Sequence, residues 1–208
     1  MTKIAVLVSG GGTNLQALID AQARGEIVGG AIGLVVSSNP EAYALERAAR
    51  ADIETAVLRR RDFADGETYG AALDRMLVDA GVGLIVLAGF MTVLPDSFCA
   101  AWRNRIINIH PSLIPSFCGE GFYGLRVHEA ALKKGVKVTG ATVHFVSEVV
   151  DGGAIILQQA VAVEPGDTPE ILQRRVMEQA EWKLLPRAVS LFCQGKLSVQ
   201  NEIVTILD

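Results

Sequence analysis

Asn108 and His110 stand two residues apart in Ile106-Ile107-Asn108-Ile109-His110-Pro111-Ser112-Leu113-Ile114-Pro115, and this spacing is the strongest chemical signal in the chain. Strand side chains alternate faces, so Ile107 and Ile109 point one way and Asn108 and His110 the other. Pro111 brings no backbone donor and ends regular pairing. An amide and an imidazole therefore sit side by side at the end of a buried strand. Asn can donate to a carbonyl oxygen that is becoming an oxyanion. His can move a proton near neutral pH. The pair suits addition to a carbonyl group. A lone strand-end His is ordinarily a hydrogen-bonded core residue. Two polar groups on one face at the carboxyl edge of a parallel sheet, where such sheets bind ligands, favour a site instead.

Two other stretches carry chemistry. Ser9-Gly10-Gly11-Gly12-Thr13-Asn14-Leu15 lies between an apolar strand pattern and a helical one. Glycines let backbone amides approach a ligand closely, and a helix N-terminus adds partial positive charge, so the loop suits a phosphate. It is a poor dinucleotide fingerprint. Leu15 stands where the third glycine belongs, and the second strand ends in Ser37-Ser38-Asn39 without a ribose-binding acid. There is no Gly-Lys-Ser/Thr run for a Walker A loop. The plainer reading is a tight turn whose helix is capped by Thr or Asn. Val149-Val150-Asp151-Gly152-Gly153 is first of all a turn signal. Its other reading makes Asp151 a carboxylate that orients His110, and spacing alone does not join the two.

These residues need a scaffold, and the pattern supplies one. Strand-like runs at Ile4–Val8, Ile32–Val36, Ile53–Leu58, Leu84–Leu87 and Arg105–Ile109 alternate with helical patterns at Asn14–Ala23, Pro40–Arg50, Glu67–Ala80 and Pro95–Trp102. Such alternation predicts an α/β fold, a mostly parallel twisted sheet with helices on both faces. The second half differs. Lys137–Val146 and Ala154–Val163 predict an antiparallel extension of the sheet. Pro169 opens a long helix to about Pro186, a second stretch runs to Cys193, and Lys196–Leu207 reads as a closing hairpin. The expected organisation is a single domain over 1–208, with a phosphate-binding half at 1–105 and a catalytic half at 106–208.

Composition limits the function. The chain has 208 residues, half of them hydrophobic, a formal net charge of −4 and no basic stripe, which argues against nucleic acid as the main partner. Arg59-Arg60-Arg61 reads as a solvated loop. No apolar run approaches the ~18 residues of a membrane span. There is no signal-peptide pattern at Met1-Thr2-Lys3-Ile4. Cys99, Cys118 and Cys193 form no paired motif, as expected of a reducing cytoplasm.

Taken in order, Ser9–Gln16, Ala88-Gly89-Phe90-Met91, Asn108–Pro115 and Thr142–Val146 with Asp151-Gly152-Gly153 resemble the folate-dependent phosphoribosylglycinamide formyltransferase family over nearly the whole chain. The resemblance implies a Rossmann-like formyltransferase fold and formyl transfer from 10-formyltetrahydrofolate to glycinamide ribonucleotide, by a monomer or homodimer without a metal. It implies a catalytic trio of Asn108, His110 and Asp151, in which Asn108 and a protonated His110 stabilise the oxyanion and Asp151 holds the imidazolium. By the same resemblance Gly11, Gly12, Thr13, Asn14 and Leu15 hold the ribose phosphate. Met91, Val93 and Leu94 wall the folate pocket, with Val146, Ser147, Glu148, Val149 and Val150 around the pterin. Glu181 contacts the nucleotide, and Thr142, His128 and His144 support the site.

The chain departs from the family pattern at three places. The loop Ser116–Gly124 is long and aromatic and suggests a cover over the site, or a surface loop packed by its own aromatics, with Cys118 an inert thiol. Glu181-Trp182 replaces a Glu-His pair and has one extra residue upstream. A basic residue of the family falls on Gly66, a charge that Arg59, Arg60 or Arg61 could supply. Other readings stay open. A formyltetrahydrofolate hydrolase or a methionyl-tRNA formyltransferase shares the core motifs but carries an extra domain. A metal hydrolase could use His110, His128, His144 and Asp151. A sugar-phosphate binding module needs only the glycine loop.

Overall fold

The structure, a computed structural model, describes residues 1–208. Seven strands form one sheet: β1 (Thr2–Val8), β2 (Gly30–Ser37), β3 (Thr55–Val57), β4 (Leu84–Leu87), β5 (Ile106–His110), β6 (Val138–Phe145) and β7 (Ile155–Ala162). Their order is β3-β2-β1-β4-β5-β6-β7. The pairings are parallel from β3 through β5 and antiparallel for β5–β6 and β6–β7. The predicted α/β sheet with its antiparallel extension is therefore present. A separate hairpin, β8 (Leu197–Gln200) and β9 (Ile203–Ile206), closes the chain.

Strand alternation divides the core in two. Ile4, Val6 and Val8 of β1 face a layer built from α1 (Thr13–Ala23), α2 (Tyr43–Arg50), α5 (Leu125–Lys134), α6 (Pro169–Val176) and α7 (Trp182–Cys193). Ala5 and Leu7 face α3 (Gly66–Asp79) and α4 (Asp96–Ala101). β5 obeys the same rule: Ile107 and Ile109 join the first layer and Ile106 the second. Asn108 and His110 have the parity of Ile106, so the predicted alternation holds and turns them to the α3–α4 side.

Two helix boundaries differ from expectation. Pro40 does not open a helix. Asn39 Oδ1 accepts from the Glu41 amide and the Asn39 carbonyl from Ala42, so a side-chain turn delays α2 until Tyr43. Nor does the long C-terminal helix end near Pro186. α6 stops at Val176, a π turn spans Met177–Glu181, and α7 runs through Pro186 to Cys193. An interior proline costs about 3 kcal/mol. The buried face of Leu184, Leu185, Pro186, Ala188, Val189 and Ser190 offsets it.

Candidate active site

β5 carries the two central side chains to the edge of the parallel sheet, and β6 supplies their neighbours. The register pairs Asn108 with His144 and His110 with Thr142. His144 Nδ1 lies 2.8 Å from the Phe145 carbonyl, which can only accept, so Nδ1 bears the proton. In the neutral ring Nε2 is then an acceptor, and Asn108 Nδ2 donates to it at 3.1 Å. This contact fixes which end of the Asn108 amide is the NH₂ group. The second N–H of Asn108 is left for a ligand.

Asp151 reaches this pair from the β6–β7 loop. Its backbone is left-handed, at φ 54°, a conformation Asp tolerates. Gly153 follows because a side chain there would drive into the Phe145 carbonyl. Asp151 Oδ2 lies 3.5 Å from His110 Nδ1 and accepts from the Gly119 amide at 2.8 Å, while Oδ1 lies 3.6 Å from His144 Nε2. The turn reading of Asp151 holds, and the same turn sets its carboxylate beside His110. Burial works against its charge, but the His144 and His110 rings in their protonated forms, with the Gly119 amide, outweigh it and hold the carboxyl below its ordinary range. For His110 burial dominates and lowers the pKa below 6.5, against the opposing pull of Asp151 and the Phe117 carbonyl. The free site therefore holds a neutral imidazole beside a carboxylate at pH 7.

The loop Ser116–Gly124 is fastened to this cluster. His110 Nε2 donates to the Phe117 carbonyl at 2.9 Å, and the Phe117 and Phe122 rings meet edge to face. Thr142, fully buried, anchors the loop's approach. It donates to the Ser112 carbonyl at 2.6 Å and accepts from the Ile114 amide and from Gln158 Nε2. His128 is also fully buried, with neither ring nitrogen hydrogen-bonded, and burial together with nearby His110 lowers its pKa to about 4. Cys118 donates to the Pro115 carbonyl, and burial raises its pKa, as expected of an inert thiol.

The glycine loop follows β1 on the same sheet edge. Gly12 is left-handed at φ 72° and caps α1, and no side chain caps the helix, so the plainer reading of an ordinary capped turn fails. The amides of Gly11, Gly12, Thr13, Asn14 and Leu15 meet no protein acceptor. Thr13 Oγ1 has only the Met177 sulfur, a weak acceptor, at 3.7 Å. Asn14 Nδ2 donates to Glu181 Oε2 at 2.7 Å, and Asn14 Oδ1 is buried without a partner. Burial raises the Glu181 carboxyl to about 7 against that one hydrogen bond.

Met91 and Val93 are exposed and Leu94 is buried under them against the α3–α4 core. Val149 and Val150 are exposed as well. Val146, Ser147 and Glu148 line a cavity of about 280 Å³ with Cys99 and Arg103. A larger groove, about 460 Å³, lies along α7 between Arg24 and Arg187 and includes none of the candidate residues. Arg59 pairs with Asp62 and Arg60 donates to the Phe63 carbonyl, which leaves Arg61 as the unpaired member of the run. No group of three or more His, Cys, Asp or Glu side chains is arranged to hold a metal ion. No helix is long and apolar enough to cross a membrane.

A family model for formyl transferases matches residues 2–189. Phosphoribosylglycinamide formyltransferase from Haemophilus influenzae is 41% identical over 203 residues, covering 98% of this chain and 92% of that one. The chain belongs to the phosphoribosylglycinamide formyltransferase family. The solved glycinamide ribonucleotide transformylase 1 of Symbiobacterium toebii superposes with a TM-score of 0.93 at 44% identity, covering 100% of this chain and 95% of that one. A trifunctional purine biosynthetic protein of Gallus gallus is 45% identical over 201 residues, and the match spans only 19% of its length. A formyltetrahydrofolate deformylase of Pseudomonas syringae aligns at 26% identity and a TM-score of 0.87, and 66% of it is covered.

The departures from the family pattern have physical explanations. The extra residue before Glu181 is taken up by the π turn, which holds one residue more than an α turn and still delivers Glu181 to Asn14. The coupling of His144 to Asn108 was not visible in the sequence, because it depends on strand register. Arg47 was missed altogether: it donates to the Gly11 carbonyl from α2, where no motif marks it.

Proposed function

We propose that this chain transfers the formyl group of 10-formyltetrahydrofolate to the amine of glycinamide ribonucleotide, giving N-formylglycinamide ribonucleotide and tetrahydrofolate. What carries the reading is one cluster at the sheet edge: Asn108 with an oriented amide, His110 beside the Asp151 carboxylate, and a glycine loop of unmatched amides. The loop takes the ribose phosphate, and Glu181 with Asn14 faces the nucleotide. Met91, Val93, Leu94 and the Val146–Val150 segment take the folate. Residues 1–105 thus act as the phosphate-binding half and 106–208 as the catalytic half.

The amine lone pair forms a bond to the formyl carbon, and the carbonyl electrons move onto oxygen. The free N–H of Asn108 donates to that oxyanion. The nitrogen, now cationic, loses a proton. His110 Nε2 already carries its hydrogen toward the Phe117 carbonyl, so Nδ1 is the ring atom that accepts, opposite Asp151. The imidazolium of the expected mechanism therefore forms during the reaction, and Asp151 stabilises it there. Collapse breaks the bond to the folate nitrogen, which leaves with a proton from the same pair.

Folate absorbance, followed with and without glycinamide ribonucleotide, tests the reading. Turnover only with the nucleotide is expected. Folate consumption without it would instead assign hydrolysis, as in the deformylase relative. Replacing Asn108 with alanine should lower turnover by on the order of 10²–10³, and near-normal turnover in that variant would sink the mechanism.

A further inference from the structure

We propose that Arg47 is a positioning residue of the phosphate site: it turns the amides of the glycine loop toward the ligand. The inference rests on the formyl-transfer reading for the ligand's identity, but its geometry stands alone. Arg47 Nε donates to the Gly11 carbonyl at 2.8 Å, and the Ala44 amide donates to the Gly10 carbonyl at 3.1 Å. Both acceptors belong to the glycine loop, and both are drawn toward α2. In a trans peptide the N–H points opposite to the C=O of the same unit. Drawing the Gly10 and Gly11 carbonyls to α2 therefore turns the amides of Gly11 and Gly12 away from it. Those two N–H groups, with those of Thr13, Asn14 and Leu15 at the start of α1, are the ones without an acceptor. Successive unmatched amides of this kind make an anion-binding concavity.

The guanidinium is itself held in place. Its Nη1 donates to Gln16 Oε1 on α1 at 3.0 Å, and Cζ lies 4.9 Å from the centre of the Tyr43 ring. Arg47 thereby clamps α1, the loop and α2 in one geometry. The packing permits no slack, since a side chain at Gly12 would lie 2.7 Å from the Ala44 β-carbon. A lysine could place a charge nearby but could not reach the Gly11 carbonyl and Gln16 together with a planar fork.

The test compares wild type with Arg47→Met, which keeps an apolar stem and removes the guanidinium, and Arg47→Lys. Inorganic phosphate binding, read by ³¹P NMR titration, should weaken about tenfold in Arg47→Met, or ~1.4 kcal/mol, and by less in Arg47→Lys. The KM for glycinamide ribonucleotide should rise by a similar factor, with kcat and the KM for folate within twofold. The 5′-dephosphorylated glycinamide riboside should react equally with wild type and variants. Equal losses on both substrates would make Arg47 a general structural tie, and unchanged phosphate affinity would overturn the proposal. Weakened phosphate binding in a protein that transfers no formyl group would retain Arg47's role and reject the substrate assignment.

Discussion

Glu181 places a pH-dependent load on the fold. The residue is 6% exposed, its one hydrogen bond comes from the neutral Asn14, and its carboxyl is raised from 4.5 to about 7. In the unfolded chain it ionises at its ordinary value. Below pH 4.5 both states are protonated and nothing is lost. Between pH 4.5 and 7 the folded state keeps a proton that the unfolded state has released, so stability falls as pH rises. The slope is about 1.4 kcal/mol per pH unit. Above pH 7 the loss levels off at roughly 3 kcal/mol. Glu181→Gln removes the titration and keeps an acceptor for Asn14 Nδ2. Urea denaturation of wild type and variant from pH 4 to 8.5 reads the difference directly. The variant should gain roughly 3 kcal/mol on wild type across that range. Glutamine packing adds an offset independent of pH, so the slope is the diagnostic. A difference that stays flat with pH, or that grows in the opposite sense, refutes the reasoning.

Three further outcomes are expected. His128 has the opposite sign: with a folded pKa of about 4, the unfolded state takes its proton first as pH falls below 6.5. His128→Asn should therefore gain on wild type between pH 6.5 and 4, by up to roughly 3 kcal/mol in denaturant melts; no gain on acidification would contradict a buried neutral ring. Thr142→Val strands the Ser112 carbonyl and the Ile114 amide and leaves Gln158 only the Ile114 carbonyl. It should cost about 1–3 kcal/mol and lower kcat more than KM as the Phe117 carbonyl drifts from His110. Gly153→Ala must push the Asp151 turn off the Phe145 carbonyl. Turnover should fall while the affinity for inorganic phosphate stays at the wild-type value, and loss of both would point to global misfolding.

Much of the fold was readable because the central strands are buried on both faces. Ile4–Val8 and Leu84–Leu87 are short continuous apolar runs of the kind a strand covered on both faces requires. What the pattern missed lies where local chemistry and tertiary packing compete. Asn39 spent its side chain on a turn and delayed α2 past Pro40. Pro186 stayed inside α7 because a buried face outweighs one lost hydrogen bond. Arg47 left no trace, since an arginine on an amphipathic helix looks the same whether it faces water or a loop carbonyl.

The trio shows the same limit at the site. Asn108 and His110 were legible because they share a strand, and strand parity is a property of sequence. Asp151 was a candidate, but its link to them was not legible, because the sheet changes direction between them and it. β6 runs antiparallel to β5, so Thr142 lies beside His110 and His144 beside Asn108, deeper in the sheet. The chain after Phe145 must then return across the α3–α4 face to reach His110, and Val146 packs into that face on the way. Only then can a left-handed turn set Asp151 against both rings. The antiparallel extension is therefore what brings the Asp151 carboxylate to the strand-end pair.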